Sequence, residues 1–306
     1  MKQEQKLQQS LKNPDLLVIA GSRLYGTNTE ESDYDYRGFV IPPFEYLTGL
    51  SKFEHHIIRE PDIVIYSIKR FFELLIIGDP VIYEILFSPR TNIVKKTSIG
   101  DIIIHNRDIF LCQRFAKRIS GYALSEWRKV TGTQLVPIKR TPDENNVIND
   151  IRDIFHPSKE EMDEIIRMLF SHHPREVKPA RRKLGEKRKR QIEQFGYCVS
   201  SACHTIRLLD ELVELHTTGK LTFPRPNRRE LLLIKRGKIS LDDIKNIYNE
   251  TFNKAFLASL KSCLPKNPSI KKIRDLYHEI ISWIIYCDPT IQQYRDNYIH
   301  KYKRWY

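Results

Sequence analysis

The chain changes its hydrophobic rhythm about a quarter of the way along. Leu16 to Ala20, the stretch around Arg37 to Ile41, and Asp62 to Tyr66 are short apolar runs bounded by Gly, Pro, Asp and Ser, the pattern of strands. Lys52 to Pro61 predicts a hairpin or loop leading into the third run. From Ser67 the period lengthens. Ile68, Phe71, Phe72, Leu75 and Ile76 share one helical face, Gly78 stops that helix, and a second short helix follows Pro80. Beyond Ser98 the readable periodicity is helical, in Ile99 to Asn106, Arg107 to Val130, Ile192 to Leu215, Leu241 to Leu260 and Asp275 to Cys287. The expected class is α+β, with a small mixed-sheet core over residues 1–95 and a mainly helical domain over 96–306. Thr131 to Arg190, rich in Pro and charge, reads as a long excursion or lid within the second.

Composition narrows the setting. No run of about 18 apolar residues occurs, and the opening MKQEQKLQQS is polar. Neither a spanning helix nor a secretory signal is expected, and a cytoplasmic location follows. The five cysteines are an odd number and include no C-x-x-C pair, which argues against a disulfide framework and a structural zinc. Fifty-one Lys and Arg against thirty-eight Asp and Glu give a net charge of +13, a field that favours polyanions, nucleic acid first.

The candidate chemistry lies in GSRLYGTNTEESDYDYRG, Gly21 to Gly38. Two carboxylates one residue apart on a strand, Asp33 and Asp35, point to one face, and hard Mg²⁺ (or Mn²⁺) is held by two or three such groups. Gly21 and Ser22, at the mouth of a turn or helix, offer backbone N–H groups and a hydroxyl to phosphates, with Arg23 beside them. Asp62, heading an apolar β-branched run, is the best-placed third carboxylate, and Glu60 and Glu54 are weaker substitutes. This set predicts metal-dependent nucleotidyl transfer from an NTP, in line at the α-phosphate with release of pyrophosphate. An isolated D-x-D is usually a turn and a solvated strand residue; the upstream Gly-Ser distinguishes this one. Gly21 to Gly26 also satisfies G-x-x-x-x-G, but Thr27-Asn28 stand where a P-loop needs Lys and Ser or Thr.

The same residues resemble the signature of the DNA polymerase β-type nucleotidyltransferase superfamily, a Gly-Ser followed by an acidic D-x-D. More narrowly, Tyr25-Gly26-Thr27, Ser32 to Gly38, GDPVIYEILF from Gly78 to Phe87 and ACHTIRLL from Ala202 to Leu209 resemble the RNA-ligase-associated predicted nucleotidyltransferases. The resemblance implies an αβ catalytic core with a helical second domain, Mg²⁺ dependence, and a role in RNA end repair or modification; the family's name gives no acceptor, and the acceptor expected here is an RNA end such as a tRNA terminus. It carries catalytic and metal-binding roles to Asp33, Asp35 and Asp62, and phosphate contacts to Gly21 and Ser22. Two alternatives stay open: transfer to a small molecule or protein hydroxyl, and a non-catalytic RNA-binding protein of the same fold.

On the helix read as Ile192 to Leu215, His204 and Arg207 lie off the apolar stripe and predict nucleotide contacts in a cleft, against a plain Arg207–Glu211 pair across one turn. The block Lys178, Arg181, Arg182, Lys187 and Arg188 predicts contacts to an RNA backbone, against a solvated helix face. Tyr294, Tyr298 and Tyr302 in the basic tail predict a docked helix in preference to a stacking surface for bases. His55-His56 and His172-His173 lack Cys or carboxylates at zinc spacing and are given no metal role.

Overall fold

A computed structural model describes residues 2–30, 32–48, 51–130, 133–137, 149, 152–153, 175–179, 185–287, 289 and 291–293. Arg181, Arg182, His172-His173 and the aromatic tail from Tyr294 lie outside the described residues.

Five strands form one mixed sheet: β1 (Leu16–Ile19), β2 (Asp35–Val40), β3 (His55–Ile58), β4 (Asp62–Ser67) and β5 (Ile93–Lys96). Their order is β3-β4-β2-β1-β5. β2 and β4 run parallel, and the other neighbours are antiparallel. Because successive side chains alternate across a strand, each face has its own set of residues. Leu16, Val18 and Phe39 point into the main core with Ile68, Phe71, Leu75, Ile82 and Tyr83. Val40 and Ile65 point the other way, where Leu17 and Ile63 join them under Leu7 and Leu11 of α1 (Lys2–Lys12). α1 was not read from the sequence: it buries only two leucines four residues apart, too narrow a stripe to rise above its Lys and Gln content.

Short helices α2 (Gly21–Tyr25) and α3 (Phe44–Leu47) connect the strands. α4 (Ile68–Ile77) starts on the Ser67 side chain, which accepts a hydrogen bond from Arg70 N, and stops at Gly78 with φ +81°. α5 (Pro80–Leu86) starts on Asp79, whose carboxylate accepts from Val81 N, with Pro80 at the first helical position. α6 (Ser98–His105) and α7 (Gln113–Val130) follow. Farther on lie the hairpin β6 (Thr133–Pro137) and β7 (Arg175–Pro179), then α8 (Glu186–Phe195), α9 (Val199–Thr218), α10 (Arg228–Lys235), α11 (Leu241–Leu260) and α12 (Ile270–Cys287). A mixed sheet followed by a mostly helical region is the α+β class expected. No described helix is long and apolar enough to cross a membrane.

The single helix expected over Ile192 to Leu215 is two. Gly196, at φ +78°, accepts the left-handed turn that ends α8, and α9 restarts at Val199. Likewise Arg107–Phe110 is a 3₁₀ turn ahead of α7, not its first residues.

The chain divides into two compact units, one of residues 1–124 with 203–306, the other of residues 125–202. The first holds the five-stranded sheet. In the second, β6 pairs with β7, Cys198 N donates to Val130 O, and buried Glu126 accepts from the Ser201 hydroxyl at 3.0 Å.

Candidate active site at the strand ends

The parallel pairing of β2 with β4 sets Asp35 directly opposite Asp62. At the same place β1 ends: Ile19 pairs with Tyr36, and Ala20 N donates to Asp35 O at 2.8 Å. The chain then turns into α2 through Gly21 at φ +61°. A Cβ on Gly21 would stand 1.9 Å from Asp35 Oδ2, so the Asp35 carboxylate lies against the bare Cα. Two sequence features separated by ten intervening residues, Gly21-Ser22 and Asp33-x-Asp35, thus meet at one place, with Asp62 beside them. Glu54 is excluded, since its carbonyl accepts from Ser67 N at the far end of β4.

Desolvation raises the Asp35 carboxyl above its ordinary value, the Arg37 guanidinium pulls it back, and the negative charges of Asp62 and Asp33 push it up again. Asp33 is exposed and precedes β2, so it flanks the pair and is not part of the ladder. Arg37, on the same strand face as Asp35, grips Asp62: Nη2 donates to Asp62 Oδ2 at 2.7 Å, and Nη1 to the carbonyls of Tyr36 and Asp62 at 2.8 and 3.1 Å. Sequence reasoning gave Arg37 no role, because its partner is 25 residues away and only strand pairing brings them together.

All donors here are hard carboxylate oxygens, and a divalent cation offsets the negative charges that Asp62 and Asp33 set beside the desolvated Asp35 carboxyl, so the residue types fit Mg²⁺ or Mn²⁺. Among the described residues no three His, Cys, Asp or Glu side chains are gathered into a metal-holding group, and Arg37 occupies one oxygen of the third carboxylate.

Arg23 is placed differently from the phosphate ligand expected. Its Nη2 donates to Ser32 O at 2.8 Å and its Nε to Asp33 O at 3.4 Å, while its guanidinium lies 3.6 Å over the Tyr34 ring. It carries the loop that presents Asp33. Behind α2 the helical segments hold the next turn: Arg225 N donates to Tyr25 O, Lys235 Nζ donates to Thr27 O at 2.8 Å, and Gly26 at φ +72° fits closely against Pro224 and Arg228.

Arg207 is a correction. Arg207 is 2% exposed and donates from Nη1 to Glu84 Oε1 at 2.8 Å and Glu211 Oε1 at 2.6 Å, with its guanidinium 3.8 Å over the Tyr25 ring. Tyr25 OH donates to Glu84 Oε2 at 2.5 Å. His204 Nδ1 is 3.2 Å from Arg207 Nη2, and its ring meets Tyr122 edge-on. Charges buried this deeply must be paired, and Arg207 has two carboxylates to satisfy, so it braces Tyr25 and α2 from inside and does not face a ligand. The Arg207–Glu211 pair across one turn is present as the alternative reading had it, and Glu84 is the partner that was missed. Its signal is the one acid inside the apolar run VIYEILF. Of the basic block, Lys187 is exposed and Arg188 half-buried on α8, Lys178 is on β7 opposite Gln134, and α8 opens with Glu186, which pairs with Lys189.

Substituting Gly21 by Ala is expected to displace the Asp35 carboxylate and to lower nucleotidyl transfer about 100-fold. The positive φ adds about 1 kcal/mol of strain, so the melting temperature should fall by only a few degrees. A radiolabel transfer assay beside a thermal melt checks both.

Residues 6–142 match a family model described as the RNA repair pathway DNA polymerase beta family. That match supports the resemblance to polymerase β-type nucleotidyltransferases and spans Gly21, Asp33, Asp35, Asp62 and Glu84. An uncharacterized 38.9 kDa protein from the nrdC-mobD intergenic region of Enterobacteria phage T4 is 24% identical over 304 residues, covering 79% of this chain and 88% of the phage protein. No solved structure matches.

Proposed function

We propose that this chain, polymerase β-type in its N-terminal match, transfers a nucleoside monophosphate from an NTP to an RNA end. The observation that carries the reading is the Asp35–Asp62 pair, set opposite each other by parallel strands at the place where Gly21-Ser22 begins α2, with Asp33 alongside. Asp33, Asp35 and Asp62 would hold Mg²⁺ or Mn²⁺, which when bound offsets triphosphate charge and polarises the α-phosphoryl group.

The remaining roles fall to the chain itself. Gly21 leaves room for the Asp35 carboxylate, and it and Ser22 present backbone N–H groups and a hydroxyl where phosphates would lie. Asp62, opposite Asp35, takes the proton from the acceptor hydroxyl. The hydroxyl oxygen bonds to the α-phosphorus as the bond to the β-phosphate oxygen breaks, and pyrophosphate leaves. The net charge of +13 favours a polyanionic acceptor over a small neutral one.

The test is incubation of the protein with each α-³²P-labelled NTP, Mg²⁺ and total RNA, beside an Asp33→Ala, Asp35→Ala variant. Label is expected in RNA with the wild type alone. Equal labelling by the variant would refute the site, whereas Mg²⁺-NTP binding without label in RNA would turn the search to small-molecule or protein hydroxyls.

A further inference from the structure

Arg37 is the one cation that the described residues place in direct contact with the carboxylates at the ends of β2 and β4, and its contact is with the carboxylate most needed as a third ligand. Its guanidinium fits Asp62 closely. Nη2 takes Oδ2, Nη1 takes the Asp62 carbonyl, and the neighbouring Tyr36 carbonyl holds Nη1 in register. The Arg37 side chain is 18% exposed and the Asp62 side chain 42%, so the contact is shielded from behind and open in front. An exposed pair between flexible side chains contributes little, but this one is held by a planar donor on a strand, with three acceptors fixed by two hydrogen-bonded backbones. A lone pair that accepts from a guanidinium is not free to ligate a metal.

We propose that Arg37 is a latch on Asp62: in the protein without nucleotide it neutralises and occupies the third carboxylate, and the site takes its metal fully only when that contact opens. The inference rests on the nucleotidyltransferase reading of these strand ends. Two consequences follow from competition for one carboxylate. The metal-free site is stabilised against repulsion among Asp33, Asp35 and Asp62, and its affinity for a divalent ion alone is held down. A triphosphate supplies new acceptors for the released guanidinium, so metal and nucleotide bind better together than apart. Arg37 is in these terms a positioning residue that couples the two ligands.

Mn²⁺ alone is the probe, followed by the free-ion signal in electron paramagnetic resonance, with circular dichroism to establish that each variant is folded. Arg37→Met, and the milder Arg37→Gln, are expected to bind Mn²⁺ about tenfold more tightly than wild type. Asp62→Asn alone should change affinity by less than about threefold, since Asp62 is already occupied, but in the Arg37→Met background it should erase the whole gain. Adding a non-hydrolysable NTP should tighten Mn²⁺ binding in the wild type more than in Arg37→Met. The latch is overturned if both Arg37 variants bind Mn²⁺ no more tightly than wild type. It is also overturned if the gain survives Asp62→Asn, which would make it a general loss of positive charge. Separately, an Asp33→Asn, Asp35→Asn variant that kept wild-type Mn²⁺ affinity would remove the metal-site reading itself, and the latch with it.

Discussion

Replacing Asp35 by Asn is expected to abolish transfer while leaving the protein as stable as before, or more so. Asp35 sits between Asp62 and Asp33 with its carboxyl raised, first by desolvation, so the folded chain holds the charged form at a disadvantage. The sign follows from linkage. A carboxyl raised in the folded state binds its proton more tightly there, so its contribution favours folding below the ordinary value near 3.8 and is lost as pH rises through the raised one. At pH 7 the wild type therefore carries a charge that opposes folding, and Asn, of the same shape, removes it. Transfer should fall about 1,000-fold or more, the scale of removing a preorganised electrostatic partner. Mg²⁺ should raise the melting temperature of the wild type and not of the variant. A variant that lost activity together with ten or more degrees of melting temperature would mark Asp35 as a structural residue and not a ligand.

The reach of the sequence can be seen residue by residue. The Asp33-x-Asp35 spacing and the apolar run after Asp62 are local features, but only Asp35 falls on a strand, with Asp33 in the turn ahead of it, so the two-residue period applies to one of the pair alone. The direction of β4 is not local. Its parallel pairing with β2, which puts Asp62 opposite Asp35 rather than several residues along, is set by the whole sheet. Arg37 was visible in SDYDYRG but not its hold on Asp62, for the same reason. Arg23 shows the opposite failure: its neighbourhood suggested phosphate, but the carbonyls of Ser32 and Asp33 need donors, and Arg23 is used for that. α1 and β5 were missed because one is polar and narrow and the other is four residues long, too short for any period to register.

Arg207→Met carries the second large effect, this time on stability. The stretches that carried the family resemblance, YGT, GDPVIYEILF and ACHTIRLL, meet in one buried cluster of Tyr25, Glu84 and Arg207, with Glu211 completing it. Desolvation raises the Glu211 carboxyl from near 4.5 to about 7 although Arg207 pulls it down, and the charges around Arg207 hold its guanidinium well above its ordinary value. Met fills much of the same volume but leaves two carboxylates without a counter-ion, at a cost of about 3–5 kcal/mol. The pH dependence has a definite sign. Without Arg207 the Glu211 carboxyl rises further, the protonated form folds more readily, and stability is lost as pH climbs through the raised value. The deficit relative to wild type should be largest at pH 8 and shrink toward pH 5. Tyr25→Phe supplies the comparison: it removes one hydrogen bond and leaves both ion pairs, so it should cost about 1–3 kcal/mol with little pH dependence. Urea denaturation of the three proteins at pH 5 and pH 8 measures both differences. A uniform deficit for Arg207→Met at the two pH values would mean that it arises from lost packing over the Tyr25 ring, and that the buried charges are not what fixes α2 in place.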